Sequence, residues 1–124
     1  MKYDPATAPD PDKWLSTDEG ERFAIVIAYH KRAKVRLPNI RQHSTLHLIV
    51  ENQIASEMKE VVEALDRLLA EGLDRHDAIH AIASTFAKHL YNMVKGEVDM
   101  SFPNEPYLKE LQALTADSWI NEAR

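Results

Sequence analysis

The 124-residue chain contains no cysteine. Disulfides and thiolate metal sites are therefore excluded, and nothing in the chain fixes a redox compartment. A long apolar run is also missing. The longest uncharged one, FAIVIAY at residues 23–29, is far too short to span a bilayer, so no membrane partner is expected. The opening MKYDPATAPDPDKW is acidic, bears proline and lacks the apolar centre of a signal peptide. Residues 1–15 read as a disordered or extended leader on a cytoplasmic protein. A net charge of −5 argues against general nucleic-acid binding. The local exception is HKRAKVR, with Lys31, Arg32, Lys34 and Arg36. It reads as a solvated helix end rather than a phosphate patch, because basic residues suit a helix C-terminus.

Glycine occurs only three times, and β-branched residues do not alternate with polar ones over any useful length. Apolar residues recur instead at helical spacing nearly everywhere. The expected fold is all-α: an up-down bundle of four main helices plus a short C-terminal helix, forming one domain over residues 16–124. The first helix should start at a capping box in STDE, with Ser16 as N-cap and Glu19 three residues on, and stop before Pro38. The second starts near Asn39 with the stripe Ile40, Leu46, Val50 and Ile54. A third stripe, from Met58 to Leu69, ends at Gly72. Asp74 caps the fourth helix, which carries Ile79, Ile82, Phe86, Leu90 and Met93. A short helix from Asn104 follows, and Thr115 caps a last turn with Trp119.

The apolar spacing runs on across residues 54–58, so the second and third helices could form a single rod. Such a rod would reach about 48 Å, too long for a domain whose radius of gyration should be about 14 Å. A break near Ser56 is therefore expected.

Four of the six histidines stand in two pairs of identical spacing. His43 and His47 fall in QHSTLHLIVENQ, followed by Glu51, and His76 and His80 fall in DRHDAIH. Helix positions four apart share one face about 6 Å apart, close enough for two imidazoles to grip one ion. His43 and His47 lie within an apolar stripe, where unpartnered polar groups are costly. With a chain reversal in the mid-fifties, both pairs reach the same level, and His30 at the end of the first helix joins them. His89 points away. The expected ligands are His43, His47, Glu51, His76 and His80, with His30 as an extra donor. Because His43 to Glu51 spans about 12 Å, either one ion takes His47, Glu51, His76 and His80, or two ions divide the set. Imidazole with carboxylate and no sulfur suits zinc, iron or manganese. Asn52 and Gln53 are either hydrogen-bond partners of the histidines or surface residues. Arg75 is expected to pair with Asp74 or Glu71 rather than clamp an anion. Trp14 and Trp119 are read as packing residues.

The histidine set looks chemically like part of the haemerythrin di-iron pattern, although no histidine follows His89 to complete it. At LPNIRQHSTLHLIVENQIA and AEGLDRHDAIHAIAS the chain resembles a bacterial domain-of-unknown-function family close to the group numbered 1841. The matching positions are His43, His47, Glu51, Asn52, Gln53, Arg75, His76 and His80, with Tyr29 and His30 in AYHKR. That resemblance brings no established activity.

The leading functional expectation is a small helical metal-binding protein, serving as a hydrolase or oxidoreductase on an unidentified small molecule. Glu51 would act as ligand or general base toward a metal-activated water. The alternative is a non-enzymatic interaction or regulatory module with a structural histidine cluster. An anion-binding regulator using HKRAKVR is a weaker third. A homodimer is compatible with each.

Overall fold

The computed structural model describes residues 1–33 and 39–123. These residues hold seven α-helices and no strand: α1 (Pro11–Ser16), α2 (Glu19–Arg32), α3 (Ile40–Ala55), α4 (Lys59–Ala70), α5 (Arg75–Val94), α6 (Glu105–Ala113) and α7 (Ala116–Ala123). The all-α expectation holds, and the four expected main helices correspond to α2–α5. The C-terminal part holds two short helices rather than one. Lys34 and Arg36 of the basic cluster lie outside the described residues.

Helix α2 starts two residues later than the capping box implied. Asp18 is its N-cap, accepting from the backbone N–H groups of Gly20 and Glu21. Ser16 instead closes α1, its hydroxyl donating to the Lys13 carbonyl. A carboxylate directly ahead of the helix satisfies the free N–H groups better than a hydroxyl already engaged one helix earlier.

The expected reversal after residue 55 is present. Glu57 adopts the left-handed backbone, with φ of 59°. The Met58 N–H then donates to the Gln53 carbonyl and the Glu57 N–H to the Ile54 carbonyl, which is the double bond pattern of a Schellman turn. Gly72, with φ of 104°, closes α4 in the same way, through Leu73 to Leu68 and Gly72 to Leu69. This second turn sends the chain into α5, where Asp74 caps the helix by accepting from Asp77 N–H.

Two apolar clusters form the interior. The larger joins α3–α7 and includes Val50, Val61, Leu65, Leu68, Ile79, Ile82, Tyr107 and Leu111. The smaller joins the N-terminal segment, α1, α2 and α3 through Tyr3, Trp14, Val26, Leu48 and Ala55. Residues 1–15 are therefore not a free leader. Tyr3 is 2% exposed and Trp14 is 0%, and the Trp14 indole donates to the Asn52 side-chain oxygen at 2.8 Å. Two large aromatic rings so placed remove far more apolar surface from water than the prolines around them forgo in helical bonding.

Glu57 sits where a β-carbon is disfavoured. Glu57→Gly is expected to leave the fold intact and raise stability by up to about 1 kcal/mol, measured by urea denaturation. A loss of stability would show that the reversal does not depend on that backbone conformation.

Candidate metal centre

The two short turns carry the N-terminal halves of α3 and α5, and the C-terminal end of α2, to one place. Five imidazoles meet there. Ring centroids lie 4.7 Å apart for His30–His43, His30–His47 and His43–His47. They lie 4.8 Å apart for His43–His80 and His47–His80, and 4.3 Å for His76–His80. Two triads have ligand atoms all within 4.8 Å of one another: His30, His43 and His47, and His47, His76 and His80. His47, which is fully buried, belongs to both. His89 lies outside the cluster, stacked on Tyr107.

The surroundings fix which ring nitrogens carry protons. The Tyr3 hydroxyl has one proton, and it donates this to Glu51 Oε2 at 2.6 Å. Its contact with His47 Nδ1 at 3.1 Å is then one in which the Tyr3 oxygen accepts, so His47 carries its proton on Nδ1. His30 Nδ1 lies 2.9 Å from the Val26 carbonyl, which can only accept. Nδ1 of His30 therefore carries the proton too, shared with Ser44 Oγ at 3.2 Å. Both rings are left with a bare Nε2 lone pair turned away from these partners. His30 Nε2 and His76 Nε2 are buried without a hydrogen-bond partner, as is His89 Nε2 outside the cluster. The lone pair of His47 Nε2 accepts from His80 Nε2–H at 2.8 Å.

Glu51 does not join the histidines as a ligand in either triad. It is 1% exposed, and Arg75 grips it with two bonds, Nη1 to Oε2 at 2.9 Å and Nη2 to Oε1 at 2.7 Å. Arg75 also donates to the Pro5 carbonyl at 2.9 Å. The expected pairing of Arg75 with Asp74 or Glu71 is thus replaced by a buried pair. A guanidinium excluded from water needs an equally buried, two-pronged acceptor, and exposed Asp74 does not provide one. Glu71 serves elsewhere, accepting from Ala116 N–H. Asn52 and Gln53 do not touch the histidines: Asn52 takes bonds from Trp14 and Arg22, and Gln53 one from Tyr107. Tyr3 and Ser44 are the partners that sequence reasoning missed. Ser44 carries a faint signal, since it follows His43 on the inward side of α3; Tyr3 carries none.

Burial, then the nearness of the other imidazoles, favours the neutral form of His43, His47 and His80. The pKa of His47 falls to about 2, and those of His43 and His80 to about 4. His30 is lowered by burial as well. Neutral imidazoles with free lone pairs are metal ligands. The chain matches no known family, no curated protein and no solved structure, so the site is read from its own geometry.

Two predictions arise from this arrangement. Arg75→Ala leaves Glu51 charged, buried and alone, and is expected to cost about 3–5 kcal/mol in urea denaturation; a cost near that of an exposed ion pair would refute the pairing. The histidines whose pKa values are depressed bind fewer protons folded than unfolded. Their contribution is complete above the unfolded value near 6.5 and is lost as pH falls through that value toward about 4. With chelator present, the melting temperature should therefore hold level from pH 8 to about pH 7 and drop steadily below about pH 6.5. A flat profile down to pH 4 would contradict neutral buried rings.

Proposed function

We propose that this chain is a metal-binding protein whose ion is held by the convergent Nε2 atoms of the histidine cluster. The observation that carries the reading is the convergence of His47, His76 and His80, whose ligand atoms lie within 4.8 Å of one another and of which His76 Nε2 is buried with no hydrogen-bond partner. A buried lone pair left unpaired costs free energy that a cation would recover. Donors bound to a tetrahedral ion at about 2.0–2.1 Å stand about 3.3 Å apart. The 2.8 Å between His47 and His80 would reach that spacing with a small rotation of His80 and a change of its tautomer, in which Nδ1 takes up a proton as Nε2 loses one.

One ion per chain follows from the same bonds. Both triads draw on His47, and Tyr3 occupies its Nδ1, so a single Nε2 lone pair serves both. With Glu51 held by Arg75, the donors are all imidazole nitrogens. This set suits zinc or iron better than manganese, which favours oxygen ligands. Glu51 and Arg75 act as positioning residues: they orient the Tyr3 hydroxyl, and Tyr3 orients His47. Glu51 is not the general base in this reading, because both of its oxygens are engaged. A bound divalent ion would supply Lewis-acid polarisation of a substrate oxygen, or activation of water, for a hydrolase or oxidoreductase. The likeness to a bacterial domain-of-unknown-function family stays a proposal resting on the paired histidine motifs.

A second reading is a non-enzymatic module whose cluster is purely structural. It is favoured by the His80–His47 bond, which satisfies both atoms without an ion.

Elemental analysis of untagged protein decides between them. One zinc or iron per chain is expected. Affinity should fall more than about 100-fold in His47→Ala and His80→Ala, and about 10- to 100-fold in Tyr3→Phe. His89→Ala should bind normally. Metal-free protein that takes up no zinc in dialysis, with melting unaffected by chelator, would establish the structural reading instead.

A further inference from the structure

A cavity of about 310 Å³ adjoins the centre, lined by His43, Leu46, His47, His80, Ala83, Ser84, Ala87 and Trp119. No lysine, arginine, aspartate or glutamate lines it. Beside it, a second cavity of about 390 Å³ runs between α3 and α5, lined mainly by Leu46, Ile49, Ala87, Leu90, Tyr91 and Val94, with Gln42 and Thr45 at its edge. The two share Leu46 and Ala87. On α5 the residues from His80 through Ala83, Ala87 and Leu90 to Val94 recur at spacings of three and four, so they form one face about 21 Å long. Its outer half does not pack inside the protein: Leu90 is 39% exposed and Val94 88%, with Tyr91 beside them 61% exposed, while Ala83 is buried in the core. Leu90 belongs to the apolar stripe of α5, and an apolar stripe left in water at the mouth of a polar site marks a place for a ligand.

We infer that the two cavities are one binding site for an uncharged amphiphile, with a hydroxyl, carbonyl or similar oxygen head at His43, His47 and His80 and an alkyl body along the α3–α5 groove. The choice of occupant rests on three features. No lysine, arginine, aspartate or glutamate lines either cavity, so apart from the proposed ion nothing in the lining pairs with a charged group. The polar groups at the head end are the imidazoles of His43, His47 and His80 and the Ser84 hydroxyl. The apolar wall is continuous from the histidines to Val94. The inference deepens the metal-binding reading, because the head would meet the ion held by that cluster. The alkyl groove itself does not depend on a metal.

The test uses the full chain, metal-free and zinc-loaded, with two neutral probe series: straight-chain alcohols from butanol to decanol, and alkyl hydroxamic acids of matching lengths. Binding is read by calorimetry. Affinity is expected to rise about fourfold per added methylene, the transfer free energy of one buried CH2, in both forms of the protein. Ala87→Phe, which fills the junction of the cavities, should abolish the length dependence while zinc binding stays unchanged. A short hydroxamate should bind the zinc form and not the metal-free form. Affinity independent of chain length, or unaltered by Ala87→Phe, overturns the inference. Should the alcohols bind with the expected length dependence while the chain takes up no zinc, the groove stands and the metal reading fails. Should Val94→Asp turn a dimer into a monomer in sedimentation while no probe binds, the face is a contact between copies of the chain and the inference is wrong.

Discussion

A guanidinium buried against a carboxylate sets the order of this structure. Arg75, in the first turn of α5, and Glu51, in the second half of α3, are both withdrawn from water, and each would be strongly unfavourable alone. Their two-pronged contact locks the register between α3 and α5. It also fixes Glu51 as an acceptor, so the Tyr3 proton has one place to go. The Tyr3 oxygen then accepts from His47, and the orientation of the central imidazole follows. The same guanidinium holds the Pro5 carbonyl, which keeps the N-terminal segment seated. One ion pair thus joins three parts of the chain remote in sequence and determines which atom of His47 faces its neighbours.

The rest of the centre is built on that orientation. Five rings stand at nearest centroid spacings of 4.3 to 4.7 Å, and burial favours the neutral form of His30, His43, His47 and His80. A cluster of neutral imidazoles has too few protons to satisfy every nitrogen when Val26, Tyr3 and Ser44 draw them to the outer side of the rings. Of the inner nitrogens, His47 Nε2 accepts from His80, while His30 Nε2 and His76 Nε2 are left without a partner. Unpartnered buried nitrogens are unfavourable, and a cation would relieve those it reached. Their retention in a well-packed interior is the physical basis for reading the cluster as a binding site.

The helices were legible in the sequence because period-3.6 stripes and Asp74, Gly72 and Thr115 mark their faces and ends. The reversal at residues 55–58 was harder to see. It uses the same Schellman turn as Gly72, but with Glu57 at the left-handed position, so the usual glycine signal is missing and only the length of the rod argued for a break. The convergence of His30, His43, His47, His76 and His80 was legible from that break and the spacing of the pairs. The role of Glu51 was not. A carboxylate four residues after a histidine reads as a ligand, and nothing local shows that an arginine 24 residues on takes both oxygens. Tyr3 was hidden for a related reason. Its sequence neighbours are polar and proline-rich, and its burial comes from contacts with α1, α2 and α3.

The account stands or falls on where the protons of His47 and His30 reside. Nitrogen NMR of the metal-free protein at neutral pH reads this directly. The account predicts that both rings are neutral, with Nδ1 protonated and Nε2 bare, and that added zinc shifts the Nε2 signals. Protonation at Nε2, or doubly protonated rings at neutral pH, would contradict it.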